Sequence, residues 1–189
     1  MSKLALIVTE GFADWEYALI AGTGGPYYGI EIRFFTPQAG EVTSFGGLKT
    51  VVPNDLEALL EWLPETVVVV GGSIWDTERA PDISKVLVAC YENGATIGGI
   101  CGGTLALARA GLLDSVAHTS NSVDFLAQNA KGYVGSKYYN ETPAVVSQDR
   151  IITAAGTAPV TFACAALTSA GVSVENVNEL KQRLAAEHG

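Results

Sequence analysis

Short runs of apolar, largely β-branched residues recur along the 189-residue chain and alternate with stretches whose apolar positions return at helical spacing. Lys3–Thr9 predicts a first strand and Ile30–Phe35 a second. Thr66–Val70, with four consecutive valines, predicts a third that is buried on both faces. Ala95–Ile100 predicts a fourth, Ile151–Ala155 a late one, and Val116–Thr119 a short one.

Between these runs the pattern predicts helices over Asp14–Ala21, Asn54–Trp62, Glu78–Asn93, Gly102–Ala110, Pro159–Ala170 and Val174–Glu187. In Asn54–Trp62 and just beyond it, Leu56, Leu59, Leu60 and Leu63 fall on one face. Gly94, Gly111 and Gly171 stand where helices stop. Two segments, Glu41–Ser44 and Leu48–Val52, flank Phe45-Gly46-Gly47 as a hairpin would. Ala144–Ser147 and Ile151–Ala155 do the same around Gln148-Asp149-Arg150. Uninterrupted apolar strands alternating with helices predict an α/β fold with a mostly parallel sheet covered on both faces, in a single domain spanning the chain.

Charge narrows the function classes. Eleven basic residues stand against 20 acidic ones, a formal net charge of −9, and no basic run occurs. Nucleic acid and anionic membrane surfaces are therefore not expected partners. The apolar run after Lys3 ends at Glu10, and no stretch reaches the ~18 apolar residues of a membrane helix. Three cysteines without metal-ligand spacing fit reduced thiols, so a cytoplasmic protein without a metal site is expected.

Open parallel sheets bind ligands beyond the carboxyl ends of their strands. The residues to inspect are therefore Glu10–Glu16, Gly71–Asp76, Cys101–Thr104, His118–Asn121 and Gly156–Pro159. Among them, Gly99-Ile100-Cys101-Gly102-Gly103 follows a strand and opens a helix. It fits the nucleophile-elbow pattern G-x-S-x-G with cysteine in place of serine. The glycines permit a strained turn, and the following helix aims its positive end toward the sulfur, which favours thiolate. Cys90 and Cys164 sit within apolar helical patterns and read as inert core residues.

Other groups converge on the same strand ends. The amides of the Gly71-Gly72-Ser73 turn and of Gly102 are placed to donate to an oxyanion. Asp14 and Glu16 either complement the first helix dipole or bring a carboxyl group to the sulfur. His118 and His188 are the only histidines. His188 is penultimate, so any Cys–His pair must use His118, which otherwise serves as a hydrogen-bonded structural residue. Trp15, Trp75 and Tyr17 lie near strand ends, either lining a pocket or packed in the core.

The Gly99–Thr104 elbow, Glu16, the Gly71-Gly72 turn and the segment Ala154-Ala155-Gly156-Thr157-Ala158-Pro159 together resemble the ThiJ/PfpI superfamily over nearly the whole chain. The elbow is shared with class I glutamine amidotransferases. The resemblance implies a flavodoxin-like three-layer αβα sandwich, usually a homodimer. It implies Cys101 as nucleophile, Glu16 as a protonated acid bonded to it, and amides of Gly72 and Gly102 as the oxyanion site. His118 falls where some members carry a site histidine.

Peptidase members carry histidine directly after the cysteine, where this chain has Gly102. Amidotransferases carry a late His-x-Glu pair, which is lacking here. The expected activity is therefore a cofactor-independent, glyoxalase- or deglycase-type conversion of a small reactive carbonyl compound. The alternatives are an oxidation-responsive stress protein, or an amidase or peptidase using Cys101 with His118.

Overall fold

A computed structural model of the chain describes residues 1–186. Glu187, where the last helix was expected to end, and His188 lie outside the described residues.

Six strands form the main sheet in the order β2-β1-β5-β6-β8-β7. They are β1 (Lys3–Ile7), β2 (Glu31–Phe35), β5 (Thr66–Val69), β6 (Thr96–Ile100), β8 (Ile151–Ala154) and β7 (Val146–Gln148). All neighbours pair in parallel except β7, which runs antiparallel to β8. The remaining strands, β3 (Gly40–Thr43) and β4 (Lys49–Val52), form a separate antiparallel hairpin.

The two-residue period of the strands sorts the core into two layers. Leu4, Leu6, Val68 and Val70 face one side, against Ile20 of α1 (Asp14–Tyr28), Phe162 and Leu167 of α6 (Pro159–Ser169), and Val177 of α7 (Val174–Ala185). Ala5, Ile7, Val67 and Val69 face the other. There they meet Leu59 of α2 (Leu56–Trp62), Leu87 of α3 (Ser84–Glu92), Leu105 of α4 (Gly103–Arg109) and Leu126 of α5 (Val123–Asn129). Each fully buried Leu, Ile or Phe adds roughly 1.5–3 kcal/mol of hydrophobic free energy, before conformational entropy is set against it. The result is the covered, mostly parallel sheet that the apolar runs predict, in the three-layer, flavodoxin-like sandwich that the family resemblance implies.

Several boundaries differ from the sequence pattern, each for a local reason. Helix α1 continues past Ala21 to Tyr28 through Gly24, Gly25 and Pro26 and stops at Gly29, whose φ is +67°. Weak intrinsic propensity is overridden because Gly24 lets the helix close on Ile32 and Leu167, leaving no room for a β-carbon there. Helix α3 begins at Ser84 rather than Glu78, since Pro81 and the preceding turns hold 77–83 out of the helix.

Val116–Thr119 makes a single bridge, His118 to Tyr139, and is not a strand. Helix α5 was not anticipated. Its seven residues carry only Leu126 into the core, too short a pattern to read, and its start is fixed by the Ser122 hydroxyl accepting the Phe125 N–H. The β7–β8 turn is tighter than expected: Asp149 and Arg150 both take positive φ, as a two-residue hairpin loop demands.

The chain leaves β1 for β2 on one side and then crosses to β5 on the other. The strand order therefore reverses between β1 and β5, opening a crevice at their carboxyl ends. Glu16 follows β1 and Gly71-Gly72 follows β5, and Cys101 follows the neighbouring β6.

Candidate active site

Cys101 occupies the turn between β6 and α4 with φ +53°, a left-handed conformation that non-glycine residues rarely adopt. The surroundings hold it there. Its N–H donates to Ala154 O at 2.9 Å. Its carbonyl accepts from the Thr104 N–H at 3.2 Å and from Thr104 Oγ1 at 2.6 Å. Since Thr104 Oγ1 spends its one hydrogen on that carbonyl, Ser120 Oγ, 2.7 Å away, donates to it in turn. Gly103 completes the elbow: a β-carbon there would meet Val69 O at 2.3 Å, so only glycine lets the helix start this close to β5.

Glu16, in the first turn of α1, is 0% exposed. Its Oε2 accepts the Gly71 N–H at 2.7 Å. Its Oε1 has no hydrogen-bond partner, and the Cys101 thiol faces the same point beside Gly156. Burial raises the Glu16 carboxyl to about 7, against the lowering effect of the Gly71 N–H and the Cys101 thiol. The sequence had left Asp14 and Glu16 as alternatives. Asp14 instead accepts the Gly46 N–H at 2.7 Å, pinning the tip of the β3–β4 hairpin, and a bond from Ser44 holds its carboxyl below the usual value.

The sulfur has two further neighbours. Asn121 Nδ2 donates to it at 3.3 Å, while Asn121 Oδ1 accepts the Gly156 N–H at 3.0 Å. The Gly102 N–H also points at it. Burial and the Glu16 charge push the thiol up, and the Asn121 and Gly102 donors pull it down. The donor at the helix start is thus one of several influences on the sulfur. The thiolate gains ground when Glu16 is protonated, because that removes the opposing charge and supplies a donor.

Asn121 is the site residue that sequence reasoning did not assign. Its position beyond a supposed strand end was noted, but nothing in the pattern turned its amide toward the sulfur.

His118 is fully buried. Its Nδ1 lies 2.8 Å from Val116 O, which can only accept, so Nδ1 carries the hydrogen and Nε2 accepts from Tyr133 OH at 2.6 Å. Burial lowers its pKa, which keeps it neutral at pH 7. Both ring nitrogens are thereby engaged among α5-side residues, and the structure does not bring His118 together with Cys101.

Gly72 and Gly102 both border the cavity above the sulfur, which holds about 250 Å³. The Gly72 N–H has no backbone acceptor among the described residues. Trp15 borders the cavity as well. Trp75 is core: its Nε1 donates to Val70 O at 2.9 Å, and its ring backs Gly102. Tyr17 packs edge-on between Phe12 and Phe34, away from the sulfur. Cys90 borders a separate hollow of about 270 Å³, but burial pushes its thiol up to about 11, and Cys164 is raised for the same reason. Among the described residues no group of three or more His, Cys, Asp or Glu side chains is placed to hold a metal ion. No described helix is long and apolar enough to cross a membrane.

Comparison with known proteins places this geometry. Residues 2–169 match the model of the DJ-1/PfpI family. A Bacillus subtilis protein named uncharacterized protease YoaZ is 31% identical over 168 residues, covering 85% of this chain and 80% of that protein. The crystal structure of the DJ-1 superfamily protein Atu0886 from Agrobacterium tumefaciens is similar over 100% of both chains, with 36% identity and a TM-score of 0.93. The thiJ/pfpI family protein from Bacillus anthracis follows at 27% identity and a TM-score of 0.80, over 94% of this chain and 87% of that one.

Proposed function

We propose that this chain, which belongs to the DJ-1/PfpI family, converts small reactive carbonyl compounds of the α-oxoaldehyde type, with Cys101 as nucleophile and Glu16 as the group that carries its protons. The observation that supports this most is the orphaned, fully buried Oε1 of Glu16 beside the Cys101 thiol. A carboxyl raised to about 7 both gives and takes a proton near neutrality, which suits an acid–base role.

The chemistry needs no group beyond these two and water. The thiolate attacks the aldehyde carbon, and the oxygen that gains the electron pair lies toward the Gly72 and Gly102 amides. Protonated Glu16 delivers its hydrogen to that oxygen, giving a hemithioacetal and a carboxylate. The carboxylate removes the hydrogen from the former aldehyde carbon. The electron pair moves onto the adjacent ketone to form an enediol. Glu16 returns the proton to the second carbon, the hydroxyl on the first carbon passes its proton to the second oxygen, and a thioester of a 2-hydroxy acid remains. Water, deprotonated by Glu16, attacks the thioester and expels the thiolate. The product is the hydroxy acid, with Cys101 and Glu16 in their starting states.

YoaZ carries the word protease in its name. Peptide hydrolysis in this chain would ask for an imidazole at the sulfur, and His118 is committed to Val116 and Tyr133. The carbonyl reading asks only for the carboxyl group already beside the thiol. Conversion of methylglyoxal to lactate by the purified protein, compared with Cys101→Ala, tests it. Turnover by the parent protein and none by the variant supports it. Equal rates in the two refute it.

A further inference from the structure

The cavity over Cys101 is framed by three aromatic rings from three separate elements: Trp15 of α1, Phe45 at the hairpin tip and Phe125 of α5. Trp15 and Phe45 meet edge to face at 6.2 Å and 89°. Both are open to solvent, at 49% and 66% exposure, so core packing does not account for them.

Each ring is held in place by its backbone or its polar edge. Trp15 Nε1 donates to Gly156 O at 3.1 Å. The Phe45 N–H donates to Phe12 O at 2.7 Å, and the next residue, Gly46, is tied to Asp14. The Phe125 N–H donates to Ser122 Oγ at 3.0 Å. The indole edge of Trp15 and the backbone of Phe45 and Phe125 are thus anchored around the cavity.

The charges at this mouth have one sign. Glu16 and Asp76 border it, and no Lys, Arg or His among the described residues does. Arg109 lies within electrostatic reach of Asp76 but does not line the cavity: its guanidinium donates to Trp75 O at 2.7 Å and to Asn129 O at 3.0 Å. An anionic ligand here would find no cation lining the cavity to pair with, so its desolvation would go uncompensated.

We infer that the Trp15, Phe45 and Phe125 rings are specificity-determining, and that they select uncharged α-oxoaldehydes bearing an aromatic or similarly flat apolar substituent over carboxylate-bearing ones. The assignment of substrate class rests on the carbonyl-converting reading above. Asp14 is a positioning residue in this arrangement, since its bond to Gly46 sets the hairpin tip that carries Phe45.

The test separates selectivity from turnover. Cys101 alkylation is followed by intact mass and peptide mapping with three probes sharing one leaving group: iodoacetamide, its N-phenyl derivative and iodoacetate. Each rate is normalised to that of free N-acetylcysteine. The N-phenyl probe is expected to outpace iodoacetamide, and iodoacetate to lag it, each by about tenfold. Phe45→Ala and Trp15→Ala, both solvent-open positions, are expected to cut the phenyl preference about fivefold. Equal normalised rates for all three probes, or an unchanged phenyl preference in both variants, overturn the selectivity.

Turnover of phenylglyoxal, methylglyoxal and 4-carboxyphenylglyoxal is measured in parallel. An aromatic-selective alkylation profile without turnover of phenylglyoxal or methylglyoxal refutes the carbonyl-converting reading and leaves the selectivity standing. Turnover with a flat profile does the reverse. Faster turnover of 4-carboxyphenylglyoxal than of phenylglyoxal overturns the assigned substrate class.

Discussion

Glu16 and Cys101 share the space left by the missing side chain of Gly156: a β-carbon built there would lie 3.0 Å from Cys101 Sγ and 3.3 Å from Glu16 Oε1. Carboxyl and thiol thus face one point from two strand ends, closed off on the third side by the loop after β8. Gly71 bounds the pair on the opposite side, where a β-carbon would meet Glu16 Oε2 at 2.5 Å and Cys101 Cβ at 2.8 Å. Gly156→Ala is therefore expected to lower Cys101 alkylation and carbonyl turnover at least about tenfold while the protein remains folded. A methyl group at this point meets the reacting atoms first. Rate constants alongside a thermal melt check it.

Glu16 makes stability depend on pH in a defined direction. Its folded-state pKa of about 7 lies above the ordinary value of 4.5, so between these limits the native state binds the extra proton. Stability from this group is present at low pH and falls as pH rises from about 4.5 through 7, by up to about 3 kcal/mol. Glu16→Gln keeps an acceptor for the Gly71 N–H and removes the titration. The variant's melting temperature is expected to change less than the parent's between pH 5 and pH 8, and to exceed it at pH 8. Carbonyl turnover is expected to be lost in the same variant, since Gln moves no proton.

Asn121 links the sulfur to the loop that closes the site. Asn121→Ala removes a donor that favours the thiolate and leaves the Gly156 N–H without its acceptor. The pH at which Cys101 becomes half-reactive toward iodoacetamide is expected to rise. The rate at pH 7 should fall at least about tenfold, the loss of one hydrogen bond to a charged group. Asn121→Asp should fall further, because it replaces the donor with an anion.

His118 separates a structural role from a catalytic one. His118→Ala deletes a fully buried ring and leaves Val116 O and Tyr133 OH unpaired, so a destabilisation of about 2–4 kcal/mol is expected by chemical denaturation. Below the transition the Cys101 alkylation rate should stay close to the parent's. A selective loss of that rate in a fully folded variant would restore His118 to the reaction.

Much of this molecule is written in local pattern. Four consecutive valines at 67–70 can satisfy two covered faces only in the middle of a sheet, and the Gly99–Gly103 spacing permits one kind of turn. The strand–helix alternation, the parallel sheet, the elbow at Cys101 and the inert character of Cys90 therefore follow from residues adjacent in the chain. Glycine at 71, 102 and 103 was legible for the same reason: close approach of backbone forbids a β-carbon.

What the tertiary structure decided is which distant residues meet. Local pattern does not separate Asp14 from Glu16, which lie two positions apart; only the family resemblance singles out Glu16. The helical turn between them sends one carboxyl to the hairpin tip and the other beneath the sulfur. Nor does local pattern reveal that Asn121 faces Cys101 while His118, three residues earlier, turns into the core against Tyr133. Those choices come from packing of elements far apart in the chain. The raised Glu16 carboxyl comes from the same source, because desolvation belongs to the assembled crevice and to no segment of it.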